Sequence, residues 1–498
     1  MAATVDPDRS TWDVIVLGAA AAGENAAQYS TQFSGLDAVM VEAELVGGEC
    51  SYWACMPSKS LLRPAEVMDT ARHLPGMSSL VSGKELDVSA VLARRDVVIN
   101  NLDDTSQVRW ALDTGIDVVR GYGRLDGERT VRVEMAAGGT RTLTARHAVV
   151  VDTGSRPAVP PIPGMSEALP WVSRDVTHLQ EVPRRVIILG GGVVAAESMT
   201  WLKALGVAEL TVVNRDAHLL PRAEPFVGPM IEERLRDAGV RLLPGRSITA
   251  VRREAPRDTG FGRPHGGEVT VRLDDGTELT ADELVVATGR TPNTEDIGLP
   301  TVGLPAGGFL DVDDEQAVRA VSGHWLYAVG DVCGRALLTH MGKYQARVAG
   351  EVIAARATGR PPVGVQSGAL SSADGHRGNP QVTFTDPEVG SVGMTEQQAR
   401  AAGIDVETVE YDMAGLAGTY VLREDYVGRA KLVVDRVSDT VVGATFVGLG
   451  IAELVHSATT AVVARIPLSV LWHVVPSYPT ASEVWLRLLE GLRAQRRG

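Results

Sequence analysis

An α/β fold with two similar strand-turn-helix halves and a smaller α+β region at the end is predicted by three observations. Residues 13–18 (DVIVLG) form an apolar run that opens through residues 19–23 into a helix-like stretch, ENAAQYSTQF. The same arrangement recurs where residues 185–190 (RVIILG) open onto GGVVAAE. After residue 359 the pattern changes to alternating apolar segments, QVTFT, AKLVVD and VVGATFVG, followed by a helical stretch over residues 451–465.

The first half begins as strand, tight turn and helix, and its second strand, AVMVE, ends in Glu42. An acid at that point is where a nucleotide-binding βαβ unit reaches a ribose hydroxyl. In the second half the corresponding strand, LTVVN, ends at Asn214. Each half also carries a matching tail, AVVVDTGSRP around Thr153 and Gly154 and LVVATGRTP around Thr288 and Gly289. A repeated motif with repeated tails reads as two dinucleotide-binding units in one chain, one for a flavin and one for a nicotinamide nucleotide. The first glycine turn departs from the usual pattern, since Gly18 and Gly23 are separated by four alanines. Ala20 stands where backbone must approach a pyrophosphate, and its methyl is a tolerable crowding there. Residues 157–163 (PAVPPIP) read as the crossing between the halves and residues 253–267 as an exposed hairpin insert. A further strand, HWLYAVGD, returns near Asp331.

Composition bounds the function. A chain of 498 residues has room for about three or four domains. With 48 Lys+Arg against 62 Asp+Glu, the net charge of −14 repels nucleic acid and anionic membrane surfaces. Three cysteines cannot build a disulfide framework, so a reducing, cytoplasmic setting is expected and any cysteine pair there is redox or metal chemistry. The acidic N-terminal segment does not read as a signal peptide. No apolar stretch reaches 18 residues without a Gly or a charge, so no membrane span is expected.

Cys50 and Cys55 lie in GGECSYWACMPSK. A regular helix would hold residues five apart at about 8 Å between Cα atoms, beyond the roughly 7 Å limit of a disulfide, so pairing them requires a distorted turn. Two unpaired buried cysteines are the bland alternative. No metal site is expected, because Cys333 and the histidines are distant in sequence.

With GGGVVAAE, ATGRTPN, AVGDVCGRALLTH and PQVTFTDPEVGSVGMTE, that cysteine segment makes the chain resemble the flavoprotein disulfide reductases over nearly its whole length. The group includes dihydrolipoamide dehydrogenase, glutathione reductase and mercuric reductase. The resemblance implies two Rossmann-like domains for FAD and NAD(P) plus a C-terminal α+β dimerisation domain. Residues 1–157 and 283–358 would bind FAD, 158–282 NAD(P), and 359–498 would form a homodimer. It also implies a redox disulfide between Cys55, the thiol against the flavin, and Cys50, the interchange thiol that meets the acceptor. Lys59 would lie near the flavin with Glu197 as its partner. Asp331 would hold the ribityl chain, with Thr339 and His340 near the ring. Carried over with them to cofactor binding are Gly18, Ala20, Gly23, Glu42, Gly48, Gly123, Thr153, Gly154, Gly190, Gly192, Asn214, Arg215, Gly289 and Gly330. Cys333 reads as a small packing residue.

One part of the family pattern is altered. Its disulfide-reducing members carry His-Pro-Thr-x-x-Glu near the C-terminus, supplied to the site by the partner subunit. Here the stretch is Tyr478-Pro479-Thr480-Ala481-Ser482-Glu483. A phenol of pKa near 10 does not replace imidazole as a base at neutral pH, and such a loss costs about 10²–10⁴ in rate. Glu483 is left without the group it would orient, and His473 reads as a packing or interface residue. A tyrosine here is also found in mercuric reductase, although the chain ends GLRAQRRG without a terminal cysteine pair. A carboxylating, thioether-cleaving relative likewise has an aromatic residue in place of the histidine. The small-molecule acceptor is therefore open among a disulfide, a metal ion, a quinone and a thioether. Tyr52 and Trp53 either shape an acceptor pocket or pack beneath the flavin. Asn214 and Arg215, with Arg222 nearby, stand where NAD enzymes place an acid, which favours NADPH over NADH.

Overall fold

The computed structural model describes Asp6, residues 8–360 and residues 378–498. The N-terminal residues 1–5 and the Pro361-Pro362 end of the expected domain change lie outside them. The chain divides into two compact units. The first gathers Met1–Pro57, Asp96–Arg156 and Arg290–Gly375, and the second Ser58–Arg95, Pro157–Gly289 and His376–Gly498.

In the first unit, β1 (Thr11–Leu17) is followed by helix α1 (Ala21–Thr31) and β2 (Ala38–Glu42). β1 lies between β2 and the strand Thr140–Val151, parallel to both, and the short strand Leu326–Ala328 adds beyond Thr140–Val151. These strands read as unbroken apolar runs because both faces are covered, and Val14, Val16, Val149 and Val151 are fully buried. The strand Ile116–Leu125 pairs parallel with β2 and then turns through the antiparallel strand Thr130–Met135 to Thr140–Val151. α1 packs against the long helix Thr339–Thr358. A Cβ at Gly342 would lie 3.3 Å from the Ala22 methyl, and one at Gly350 would lie 2.7 Å from Tyr29.

Among the described residues the second unit holds three sheets. Four parallel strands run in the order Glu283–Val286, Arg185–Leu189, Glu209–Asn214, Val240–Pro244, and the helix Val193–Ala204 joins the middle two. A three-stranded antiparallel sheet carries the hairpin between Ile248–Arg253 and Val269–Leu273. Residues 253–267 form the expected hairpin insert and most of them are exposed, with a few groups turned inward. Arg253 is buried in an ion pair with Glu283, the Trp171 indole donates to Arg263 O at 3.0 Å, and His265 is buried. The insert folds back because unpaired backbone groups beside a core must find partners. The last sheet has five antiparallel strands, with Val406–Asp412 at one edge and Gln381–Thr383 at the other, and the helices Leu454–Val463 and Val484–Gln495 contribute to its core.

Candidate active site

The first glycine turn is built by close approach. Gly18 has φ +94°, and a Cβ on it would lie 2.2 Å from Asp152 O. A Cβ on Gly23 would lie 2.3 Å from Gly18 O. Ala20 ends the turn and supplies no side-chain cap to α1, and although Asp152 takes the Gly23 amide, the positive end of the helix dipole faces the turn, the arrangement that receives a phosphate. The Ala20 methyl is accommodated by Gly48, which has φ +58° and on which a Cβ would fall 2.5 Å from the Ala20 Cβ. Glu42 accepts hydrogen bonds from the Ala19 amide at 2.7 Å and the Glu44 amide at 2.8 Å, and burial holds its carboxyl above the usual range. Asp152, which the sequence reading passed over, is fully enclosed and accepts the Gly23 amide at 2.5 Å. Burial keeps its carboxyl well above the ordinary range. Its signal was a lone acid closing the apolar run AVVV.

Asp331 accepts a hydrogen bond from the Ser155 hydroxyl at 2.5 Å and faces Arg290 at 3.6 Å. Gly330, at φ +78°, has its amide bound to Gln345 Oε1 at 2.8 Å. Thr153 and Asn293 lock the first tail, Thr153 Oγ1 donating to Asn293 O at 2.8 Å and Asn293 Nδ2 to Thr153 O at 3.0 Å, beside Gly154 at φ +68°. Gly123 has a packing reason to be glycine, because a Cβ there would meet Leu17 at 2.8 Å and Val41 at 3.0 Å. The glycines without room for a side chain, the helix start at the turn and the inward acids fit an extended dinucleotide such as FAD.

The distorted turn between the cysteines is present. Helix α2 (Gly48–Tyr52) ends before Cys55, where helix α3 (Cys55–His73) begins, and Trp53 and Ala54 both send their amides to Glu49 O, at 2.8 and 2.7 Å. The second of these bonds is wider than α-helical and brings the sulfurs together. Cys50 and Cys55 are free thiols within hydrogen-bonding reach of each other. That hydrogen bond and burial push the Cys50 thiol far up, while the Thr339 hydroxyl and Lys343 pull it down. Thr339 Oγ1 also lies 3.3 Å from Cys55 Sγ. His340 is exposed. Tyr52 and Trp53 are buried and pack into a small apolar cluster with Ile99, Leu45 and Leu102. Cys333 is buried in the core of its unit, in keeping with a packing role.

In the second unit Lys59 meets Glu197, with Nζ 2.7 Å from Oε2 and 3.0 Å from Oε1. Glu197 is buried and Lys59 lies 4.7 Å over the Phe384 ring, which makes the pair more than a surface salt bridge. Gly190, at φ +131°, would place a Cβ 2.3 Å from Ala287 O. Gly191, not singled out from the sequence, would place one 2.5 Å from Asn214 Oδ1, whereas Gly192 at the helix start has open space. The Asn214 amide is spent on its own loop, donating to Asp216 O and His218 O at 3.0 Å each, and exposed Arg215 is the residue that faces outward. Gly289, at φ +133°, accepts the Ala158 amide at 2.9 Å.

Near the C-terminus, Tyr478 is 74% exposed. Glu483 is buried, and with no histidine to orient it is held instead by Arg487, one turn further along, which donates to its Oε1 at 2.8 Å, while its Oε2 is buried without a hydrogen bond. His473 is exposed. Among the described residues no cluster of His, Cys, Asp and Glu could hold a metal, and no helix is long and apolar enough to cross a membrane.

The model of the family described as pyridine nucleotide-disulphide oxidoreductase matches residues 12–356, and that of its dimerisation domain matches residues 379–488. Over 451 residues the chain is 28% identical to a mercuric reductase of Staphylococcus aureus, covering 91% of this chain and 77% of that protein. Over 444 residues it is 30% identical to a dihydrolipoyl dehydrogenase of Vibrio cholerae, covering 89% and 87%. A copper(II) complex of the HOCl-induced flavoprotein disulfide reductase RclA from Escherichia coli has the same fold, with a TM-score of 0.80 at 22% identity. The likeness spans 97% of this chain and 99% of that one.

Proposed function

We propose that this chain, which belongs to the pyridine nucleotide-disulphide oxidoreductase family, carries electrons from NADPH to the Cys50 and Cys55 pair and on to a small-molecule acceptor. The family's enzymes are FAD-dependent oxidoreductases with NAD(P)H as donor, and their fold combines an FAD-binding domain, a second nucleotide-binding domain and a dimerisation domain. FAD, when bound, supplies the two-electron relay between the nicotinamide and the cysteines.

In this reading Gly18, Ala20 and Gly23 bring the start of α1 to the cofactor's pyrophosphate, Glu42 reaches its ribose, and Asp331 reaches its ribityl chain. Lys59, held by Glu197, sets a fixed positive charge where electron density arrives. Arg215 and Arg222 meet the 2′-phosphate of NADPH. With a disulfide acceptor, the Cys50 thiolate attacks one sulfur and expels the other as a thiolate, and Cys55 then attacks Cys50 in the mixed disulfide and expels the second. The acceptor's S–S bond thus breaks as the Cys50–Cys55 bond forms, and two electrons pass out. The observation that carries the reading is the Cys50, Cys55 and Thr339 contact, built by the break between α2 and α3.

A homodimer in a reducing cytoplasm accords with the dimerisation domain and the three cysteines. A small disulfide is the leading acceptor. A second reading, in which a quinone or metal ion accepts the electrons, draws support from exposed Tyr478 and the Glu483–Arg487 pair, which leave no histidine base in that stretch. Cys50→Ser tests both. Loss of turnover with disulfides, quinones and metal ions alike supports the cysteine path. Undiminished turnover with any of them assigns that acceptor to direct transfer from the flavin.

A further inference from the structure

With Tyr478 in place of the expected histidine, the interchange thiol has to be made nucleophilic by other means, and the first unit contains a candidate cation. Thr339 opens the long helix Thr339–Thr358 and its hydroxyl bonds to both sulfurs. Lys343 stands one turn further along, and residues i and i+4 share a helix face. It is half-buried, and among the described residues it makes no hydrogen bond and no ion pair. Its charge favours the ionised form of both the Cys50 thiol and the Glu24 carboxyl of α1.

Glu24 is placed to balance that charge. α1 and the long helix approach closely where Gly342 meets Ala22, next to Lys343 and two residues before Glu24. Glu24 Oε1 is buried without a hydrogen-bond partner. A half-buried ammonium with no ion pair is costly unless a negative charge that forms nearby uses it. The group beside it that becomes negative in the reaction is the Cys50 thiol.

We propose that Lys343 is a positioning residue that stabilises the Cys50 thiolate as its proton passes to solvent, and that Glu24 moderates this effect from the other side of the ammonium. The proposal rests on Cys50 being the interchange thiol. Burial holds Glu24 near a pKa of about 7, pulled down by Lys343 and pushed up by Glu42, so its moderating charge is only partly developed at neutral pH.

The test is the rate of alkylation by iodoacetamide in the NADPH-reduced holoenzyme at neutral pH, with the modified cysteine identified by peptide mass. Cys50 is expected to react first. Lys343→Met slows that reaction about tenfold, the effect of one pKa unit, Lys343→Arg restores it to within about threefold, and Glu24→Gln accelerates it. A wild-type rate in Lys343→Met overturns the proposal, as do equal slowing in the Met and Arg variants and slowing in Glu24→Gln. Labelling of Cys55 before Cys50 in the wild type instead overturns the assignment of the interchange thiol, which separates that failure from the failure of Lys343.

Discussion

Glu197 holds Lys59 through both carboxylate oxygens, at 2.7 and 3.0 Å, and one of those oxygens also accepts the Phe384 amide at 2.9 Å. The lysine is thereby fixed in direction as well as in charge, because its partner is buried and tied to backbone. Glu197→Gln keeps an acceptor for Phe384 and removes the charge. It is expected to lower stability by about 1–3 kcal/mol and to slow reduction by NADPH at least about tenfold. Urea unfolding and rapid mixing measure the two effects, and unchanged reduction kinetics would remove Lys59 from the redox site.

Ala20 and Gly48 form a matched pair. Gly48→Ala sets two methyl carbons 2.5 Å apart at a positive φ, and the expected outcome is purified protein with most of its flavin lost. Ala20→Gly in the same chain removes the methyl collision and leaves a tight 3.0 Å approach to the residue-20 Cα together with the backbone strain, about 1 kcal/mol. Flavin content in the double variant should recover most of the wild-type value. Equal loss in single and double variants would show that the cofactor turn does not depend on this contact.

These two pairs also show what a sequence discloses. β2 was legible to its last residue, Glu42, because a doubly buried parallel strand is an unbroken apolar run that a charge must end. The turn between the cysteines was legible because disulfide geometry excludes a regular helix there. The inward amide of Asn214, the Arg487 partner of Glu483 and the buried Arg253–Glu283 pair at the base of the hairpin were not legible. Each depends on which backbone or side-chain group the tertiary fold brings near, and no local period encodes that. Lys343 and Glu24 were missed for the same reason, since each looks like an ordinary charge on a helix until the two helices are packed together.

Arg215 is the exposed residue at the end of the strand Glu209–Asn214, beside an Asn214 whose amide is already engaged. Arg215→Glu should raise the KM for NADPH about 10–100-fold, the cost of a charge-assisted hydrogen bond, with little change for NADH. Steady-state kinetics with both donors decide it. An equal effect on the two would mean that Arg215 merely faces solvent.

Glu24 also gives a pH signature. Its folded-state pKa is raised from 4.5 to about 7, so between those values the folded protein holds a proton that the unfolded chain has released. Stability is then fully favoured below about pH 4.5 and is lost as pH rises toward 7, by up to about 3 kcal/mol for a shift of this size. In Glu24→Gln that fall should be absent. Denaturant midpoints across the range measure it, and identical profiles for the two proteins would place the Glu24 carboxyl at its ordinary value.

The most direct test of the cysteine path is an anaerobic titration of the purified holoenzyme with NADPH, read by absorbance, for the wild type and Cys50→Ser. The wild type is expected to take up one equivalent with its main flavin absorbance largely retained and a new long-wavelength thiolate band, and a second equivalent as the flavin bleaches. Cys50→Ser should bleach with a single equivalent. Direct bleaching of the wild type by one equivalent, with no long-wavelength band, would contradict the account and remove Cys50 and Cys55 from the electron path.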